Sequence, residues 1–370
     1  MSRWVTHSQQ RTALTNGDTS AAFVLNGESA TRLVSPGSYT TSRMRFHVSS
    51  FAGNTQTMTL LVNDTQVNQN ITVTGTGTFV DTTNTDDVTQ GQHILADNNG
   101  GAGMHGDNIT TEAGQLCFDN ASDIGPFLVS ASGSTNVFYD FVGAAGNATE
   151  AVAAYVFRSA RVLSNLTLYI LSHSVNGTVR MRKNEADGSQ TITVTGTGSF
   201  SDTTNSDSYA IGDNGTLEKE SGTFNFRGIG LQGNIESSAL GGADSLDSAV
   251  NLHPQSGHTT ATEAYAETYV PADALFHELT ANVTGYSATR TLRFRDGGVN
   301  GNMNVVCSAN GRFTDTTNTD SLTAGDRWNV QLSATGGGFR HWHVEYFEGP
   351  AAGGSRPPRG NRSRDNLIRR

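Results

Sequence analysis

With only two cysteines, Cys117 and Cys307, the chain has too few for a disulfide framework. They fall at different places in the repeat described below, so two buried free thiols are expected rather than a pair. Proline is scarce, at 7 in 370 residues, and charged residues make up only 16 %. The remainder is rich in Gly, Thr, Ser and Asn, which suits strands joined by many turns and leaves little material for long helices. No stretch approaches the roughly 20 apolar residues of a membrane-spanning helix. Met1-Ser-Arg-Trp-Val-Thr-His7 has no apolar core of a secretory signal, so a protein made and kept in a cytoplasm is expected, with no membrane partner. Asn-X-Ser/Thr triplets such as Asn165-Leu-Thr and Asn282-Val-Thr follow from composition alone.

Catalytic motifs are missing as well. There is no Gly-x-Ser-x-Gly elbow, no phosphate loop and no His-Glu-x-x-His. Gly100-Gly-Ala-Gly-Met-His-Gly106 is glycine-rich but precedes no helical pattern, so it reads as an exposed loop. Acidic residues are plentiful, yet none stands out as half of a glycosidase pair. The expectation is a protein that is not an enzyme and needs no cofactor.

What the chain does contain is one stretch written three times. It reads Gly77-Thr-Phe79-Val-Asp81-Thr-Thr-Asn84-Thr-Asp86, Gly198-Ser-Phe200-Ser-Asp202-Thr-Thr-Asn205-Ser-Asp207 and Gly311-Arg-Phe313-Thr-Asp315-Thr-Thr-Asn318-Thr-Asp320. Gly91, Gly212 and Gly325 follow at the same offset. The phenylalanines stand 121 and 113 positions apart (79 to 200, 200 to 313). Solenoid and blade repeats run at roughly 20–50 residues, so a period this long means one domain per copy. The expected boundaries are 1–124 with an N-terminal lead-in, 125–240, 241–350, and a tail over 351–370.

Each copy carries the same plan of strands. Met44, Phe46 and Val48 alternate with polar residues, as do Leu166, Leu168 and Ile170, and again Leu279, Ala281 and Val283. That is the pattern of half-buried strands. A segment ending at Asn63 or Asn184 lies 16 residues before its signature Phe, and Thr291–Gly297 holds the corresponding place in the third copy. Ile71-Thr-Val73 and Ile192-Thr-Val194 alternate once more, where the third copy has Val305-Val306-Cys307. Strands of about five to seven residues, roughly eight per copy, predict antiparallel two-sheet sandwiches. Ala148–Val156 suits a helix but is expected to be a loop leading into a strand.

In the signature, Phe79, Phe200 and Phe313 read as core anchors, after which the chain is expected to leave the sheet. Asp81 and Asn84, Asp202 and Asn205, and Asp315 and Asn318 would cap their own backbone in Asx and Ser/Thr turns, marking three structural corners. The alternative is calcium held by Asp81 with Asp86, Asp202 with Asp207 and Asp315 with Asp320, although the spacing lacks the EF-hand pattern. His341 and His343, two apart on one strand, have a spacing that suits zinc or copper, but no further ligand completes a site and Trp342 between them suggests packing. No metal is expected there.

The last segment differs in kind. Arg356, Arg359, Arg362, Arg364, Arg369 and Arg370, set against Asp365 alone, give it a local net charge of +5 on a chain whose total is −10. Gly-Gly and Pro-Pro disfavour helix and strand. It reads either as a solvated end or as a docking strap, its Arg forks pairing with carboxylates of a neighbouring subunit while Leu367 and Ile368 form an apolar plug. It lacks aromatic residues to stack on bases, so nucleic acid is not the expected partner.

The run of a strand, an Asn-Asp or Asp-Gly turn, an alternating Thr/Val strand and then Thr-Gly-Thr-Phe-x-Asp-Thr-Thr-Asn-Thr resembles the jelly-roll modules of bacteriophage virion proteins. These occur in head decorations and in tail or fibre proteins, and are similar in architecture to tumour-necrosis-factor-like heads. The first copy departs from the pattern at Gln92, where the others have Asp213 and Asp326. The resemblance implies that the three all-β units are tandem jelly-roll domains, followed by the basic C-terminal tail described above. It implies a structural virion component whose partners are the major capsid protein or other virion proteins, either as a three-lobed monomer or as the arm of a homotrimer. A bacterial surface or filament adhesin that binds glycans through exposed loops is the alternative.

Overall fold

The computed structural model describes residues 3–5, 12–14, 33–51, 55–99, 109–119, 124–128, 137–139, 148–157, 160–233, 238–242, 250–252, 259–260, 263, 267–270, 273–283, 286–333 and 339–348. The chain is all-β, with strands arranged in six antiparallel sheets. The loop at 100–106 and the whole Arg-rich tail, including the Leu367–Ile368 plug, lie outside the described residues.

The sheets fall into three pairs, one for each copy of the signature. In the second pair, one sheet has the strand order Ile124–Leu128, Thr223–Gly233, Arg161–Val175, Gly198–Tyr209. The facing sheet runs Val137–Tyr139, Asn214–Lys219, Gly177–Lys183, Ala186–Val194. The first pair repeats this order with Ile109–Asp119, Tyr39–Phe51 and Gly77–Asp81 in one sheet, against His93–Asn99, Gln56–Val62 and Thr65–Val73 in the other. The third does so with Phe339–Glu348, Ala274–Val283 and Gly311–Leu322 against Arg327–Leu332, Arg290–Asp296 and Val299–Cys307.

Alternation explains why the sheets face each other. Leu166, Leu168 and Ile170 project from one sheet, Val179, Met181, Ile192 and Val194 from the other, and all belong to one buried cluster. Met44, Phe46 and Val48 meet Met58, Leu60 and Ile71 in the first pair. In the third, Phe276, Leu279 and Ala281 meet Phe294, Met303 and Trp328. Each such side chain contributes about 1.5–3 kcal/mol when fully buried. A core filled from two inner faces is a sandwich-like arrangement. Cys307 sits in the third core, and burial pushes its thiol up to about 11 although Arg290 pulls the other way. Cys117 lies on the Ile109–Asp119 strand, with its side chain outside the described set.

Local chemistry sets the turns. Asn63 and Asp64 both have positive φ (50° and 60°), as do Asn184 and Glu185 (50° and 65°). Two left-handed residues in a two-residue hairpin make a type I′ turn, whose twist matches the flanking strands. In the third copy the tight pair is Gly297–Gly298, one residue beyond the Asp-Gly pair that the sequence suggests.

Three expectations need correction. The central strands reach 13 and 15 residues (Tyr39–Phe51, Arg161–Val175), well beyond five to seven. Bulges carry them past points where a regular ladder would end, as at Asn165 and Glu278, each with positive φ. In the second and third copies the chain also does not leave the sheet after the signature Phe, whereas in the first it does leave over residues 82–85, between the Gly77–Asp81 and Asp86–Val88 strands. Leu166 pairs with Asp202 and Ser164 with Ser206, so residues 203–205 bow out opposite Asn165 alone and the strand rejoins the same neighbour. Finally, Ala148–Val156 holds one short helical turn, Glu150–Ala153, before the Tyr155–Val156 strand.

Candidate functional site

The signature aspartates occupy edge strands. In the second pair, Gly198–Tyr209 ends one sheet and Ala186–Val194 ends the other, so both expose unpaired backbone along one side of the sandwich. Asp202 reaches across: its Oδ2 accepts the Thr191 N–H at 2.9 Å. Asp207 accepts the N–H groups of Ser189 at 2.5 Å and Gln190 at 3.1 Å. Three consecutive donors of one edge strand are thus bound by side chains of the other sheet's edge strand.

Both other copies repeat the seam. Asp81 takes the Asn70 N–H at 3.0 Å, and Asp86 takes those of Asn68 and Gln69, each at 2.8 Å. Asp315 takes the Asn304 N–H at 3.0 Å, while Asp320 takes Asn302 at 2.7 Å and Met303 at 3.0 Å.

The first aspartate of each pair also closes the bowed turn. Asp202 Oδ1 accepts the N–H groups of Thr204 and Asn205, both at 3.1 Å, and the Thr204 hydroxyl at 3.2 Å, while Asn205 Nδ2 donates to Oδ2 at 2.9 Å. Asp81 with Asn84 and Asp315 with Asn318 match this bond for bond. The local Asx turn is therefore present, and the cross-sheet staple is an addition that sequence reasoning missed. Its signal is the constant separation of 11 residues from donor to aspartate in all three copies. Phe79, Phe200 and Phe313 are half-buried at the margins of the three cores.

The electrostatics follow from those donors. Burial pushes Asp81, Asp202 and Asp315 up. The side-chain amides of Asn84, Asn205 and Asn318, with the backbone N–H groups, outweigh it, and all three carboxyls sit below the ordinary aspartate value. The N–H and O–H dipoles point their positive ends at the oxygens that a calcium ion would have to bind. Among the described residues no group of three or more His, Cys, Asp or Glu is arranged to hold a metal. His341 and His343 lie on the Phe339–Glu348 strand around the buried Trp342, with their side chains outside the described set.

A group whose folded pKa is depressed stabilises the fold fully above its unfolded value and loses that contribution as pH falls through the folded one. The urea midpoint should therefore hold steady from about pH 7 to about pH 5 and drop between about pH 4 and about pH 2. Equal midpoints at the two ends of that lower window would remove the staples from the account of stability.

A second recurring polar contact was also invisible in the sequence. Glu150 receives both Arg182 Nε (3.1 Å) and Nη2 (2.8 Å), and Glu263 receives Arg295 Nε and Nη2, each at 2.7 Å. Both pairs are separated by 32 residues and are offset from one another by the 113 positions that separate the second and third signatures. At the equivalent place in the first copy, 18 residues before the signature Phe, stands Leu61.

The chain was compared with protein-family models and with curated proteins, and it matches none of them significantly.

Proposed function

We propose that this chain is a structural protein of a bacteriophage particle, built as three tandem jelly-roll units that decorate or join the capsid or tail through protein–protein contacts. The observation that supports the reading best is the use to which the threefold signature is put. Its carboxylates are consumed in sealing a sandwich edge, so the repeated polar residues build a scaffold rather than a reaction centre. A sealed edge cannot add a partner's strand, which leaves loops, sheet faces and the remaining edges as contact surfaces. Partners on this reading are the major capsid protein or other virion proteins, with the Arg-rich tail as a strap.

Mass spectrometry of purified, genome-filled particles tests it. Peptides of this chain at a fixed ratio to the major shell protein are the expected result, many copies for a shell decoration and few for a tail part. Absence from particles together with recovery in a cell-envelope fraction would overturn the reading in favour of a glycan-binding adhesin.

A further inference from the structure

Among the described residues the first sheet pair meets the second at a built contact, independently of the virion reading. The Leu33–Val34 strand and Ser35–Pro36 form a corner of the first pair, held by Ser35 N–H to Gln92 O (2.9 Å), Gly91 N–H to Ser35 O (2.8 Å) and Ser35 Oγ to Gly37 O (2.7 Å). This corner lies on the outward face of Arg161–Val175 and Thr223–Gly233, the face opposite the Leu166, Leu168 and Ile170 core. At Gly230 the corner comes close to the sheet backbone. A Cβ added there would stand 2.4 Å from the Val34 carbonyl oxygen and 2.9 Å from Pro36 Cδ. The first obstacle is backbone, so no side-chain rotation would relieve it. Around it the His93 ring lies 4.7 Å from that of Tyr169, and the Ser199 hydroxyl donates to the Gly91 carbonyl. Val34, Ser35 and Thr167 are wholly buried.

The equivalent positions differ. Gly230 pairs with Thr167, whereas Gln115 pairs with Arg45 in the first copy and His343 with Thr280 in the third. Only the second copy has a residue without a side chain there. The corner of the second pair, at Ile211 and Gly212, is itself open, with Ile211 65 % exposed. Among the described residues nothing comes within 4 Å of a Cβ added at Gly212. The contact is therefore not a generic consequence of the repeat.

We propose that the outward face of Arg161–Val175 and Thr223–Gly233 is a docking surface whose occupant is the Ser35–Pro36 corner of the same chain, and that Gly230 reserves it for that occupant. The first two sheet pairs then move as one body in solution. Gly91 and Ser199 supply the test, because the added Cβ at Gly91 lies 3.4 Å from Ser199 Cβ, near the separation that a disulfide spans. The full-length Gly91→Cys/Ser199→Cys variant, treated with oxidised glutathione, should form an intramolecular 91–199 link, read by peptide mapping and by a mass lower by two hydrogens. Adding Gly230→Val should abolish most of that link while the second core stays protected in hydrogen exchange. Free thiols that persist at positions 91 and 199 in a folded double variant, or links only between chains, would overturn the proposal. Cysteine at Gly91, where φ is +80°, is strained, so small-angle scattering of Gly230→Val alone provides an independent readout. A larger radius of gyration than wild type is expected, and an unchanged scattering curve from a cooperatively folded variant would also refute the docking.

Discussion

Replacing Asp315 by alanine should destabilise the third sheet pair by about 3 kcal/mol. The carboxylate accepts five hydrogen bonds, from the Asn304, Thr317 and Asn318 N–H groups, the Thr317 hydroxyl and Asn318 Nδ2. A hydrogen bond to a charged group is worth roughly 1.5–3 kcal/mol, and a buried donor left without an acceptor costs about 1–3 kcal/mol. The turn donors at Thr317 and Asn318 are near water and will rehydrate, so most of the loss should come from Asn304, whose N–H faces the seam between the sheets. Asparagine in place of Asp315 keeps a neutral acceptor and should lose about half as much. The third core holds Trp328 and Trp342, both buried, so their fluorescence in denaturant reports this pair. Ser321→Ala, an exposed change on the same strand, should stay within about 0.5 kcal/mol. If Asp315→Ala behaves like Ser321→Ala, the seam is an ornament of the turn rather than a support of the fold.

That seam shows how far the sequence could be read. Residues that alternate every second position betray which face is buried, and Met44, Phe46 and Val48 are all fully buried as the alternation predicts. Tight hairpins are equally local, and the turn pair ending the segment at Asn63 is legible from residue type. Pairing between sheets is not local. The signature reads as a self-contained turn because Asp202 and Asn205 are neighbours in sequence, whereas Thr191 reaches Asp202 only after two sheets have packed. The long central strands were hidden for a related reason. A bulge at Asn165 joins two short alternating runs into one strand, and the pattern breaks at the place where the ladder is repaired. Gly230 was one glycine among 42 until Val34 and Pro36 were seen against it.

The contact between Arg182 and Glu150 leads to the other large expected loss. Arg182 lies under Glu150 with a two-pronged bond, donates to Asp187 and to the Glu185 carbonyl, and has Glu218 at 3.4 Å. The side chains of Arg182, Glu150 and Glu218 are 16 %, 11 % and 13 % exposed. Burial raises the Glu218 carboxyl, Arg182 pulls it down, and Glu150 raises it further. Arg182→Leu, which copies Leu61 of the first pair, would leave two shielded carboxylates facing each other without a cation. Breaking a buried pair costs about 3–5 kcal/mol, and the residual exposure here reduces the expectation to about 2–4 kcal/mol. Arg182→Lys keeps the charge and loses the fork, so it should lose less than leucine does. Adding Glu150→Gln to Arg182→Leu should recover part of the loss by removing one of the stranded charges. In the leucine variant the Glu218 carboxyl loses the cation that pulls it down while burial still pushes it up, so the deficit relative to wild type should shrink as pH falls toward about 4. Hydrogen exchange in peptides spanning Ala186–Val194 reads the second pair directly. A deficit that is constant from about pH 7 to about pH 4.5 would mean that Arg182 acts by packing its stem and not by holding two acids in place.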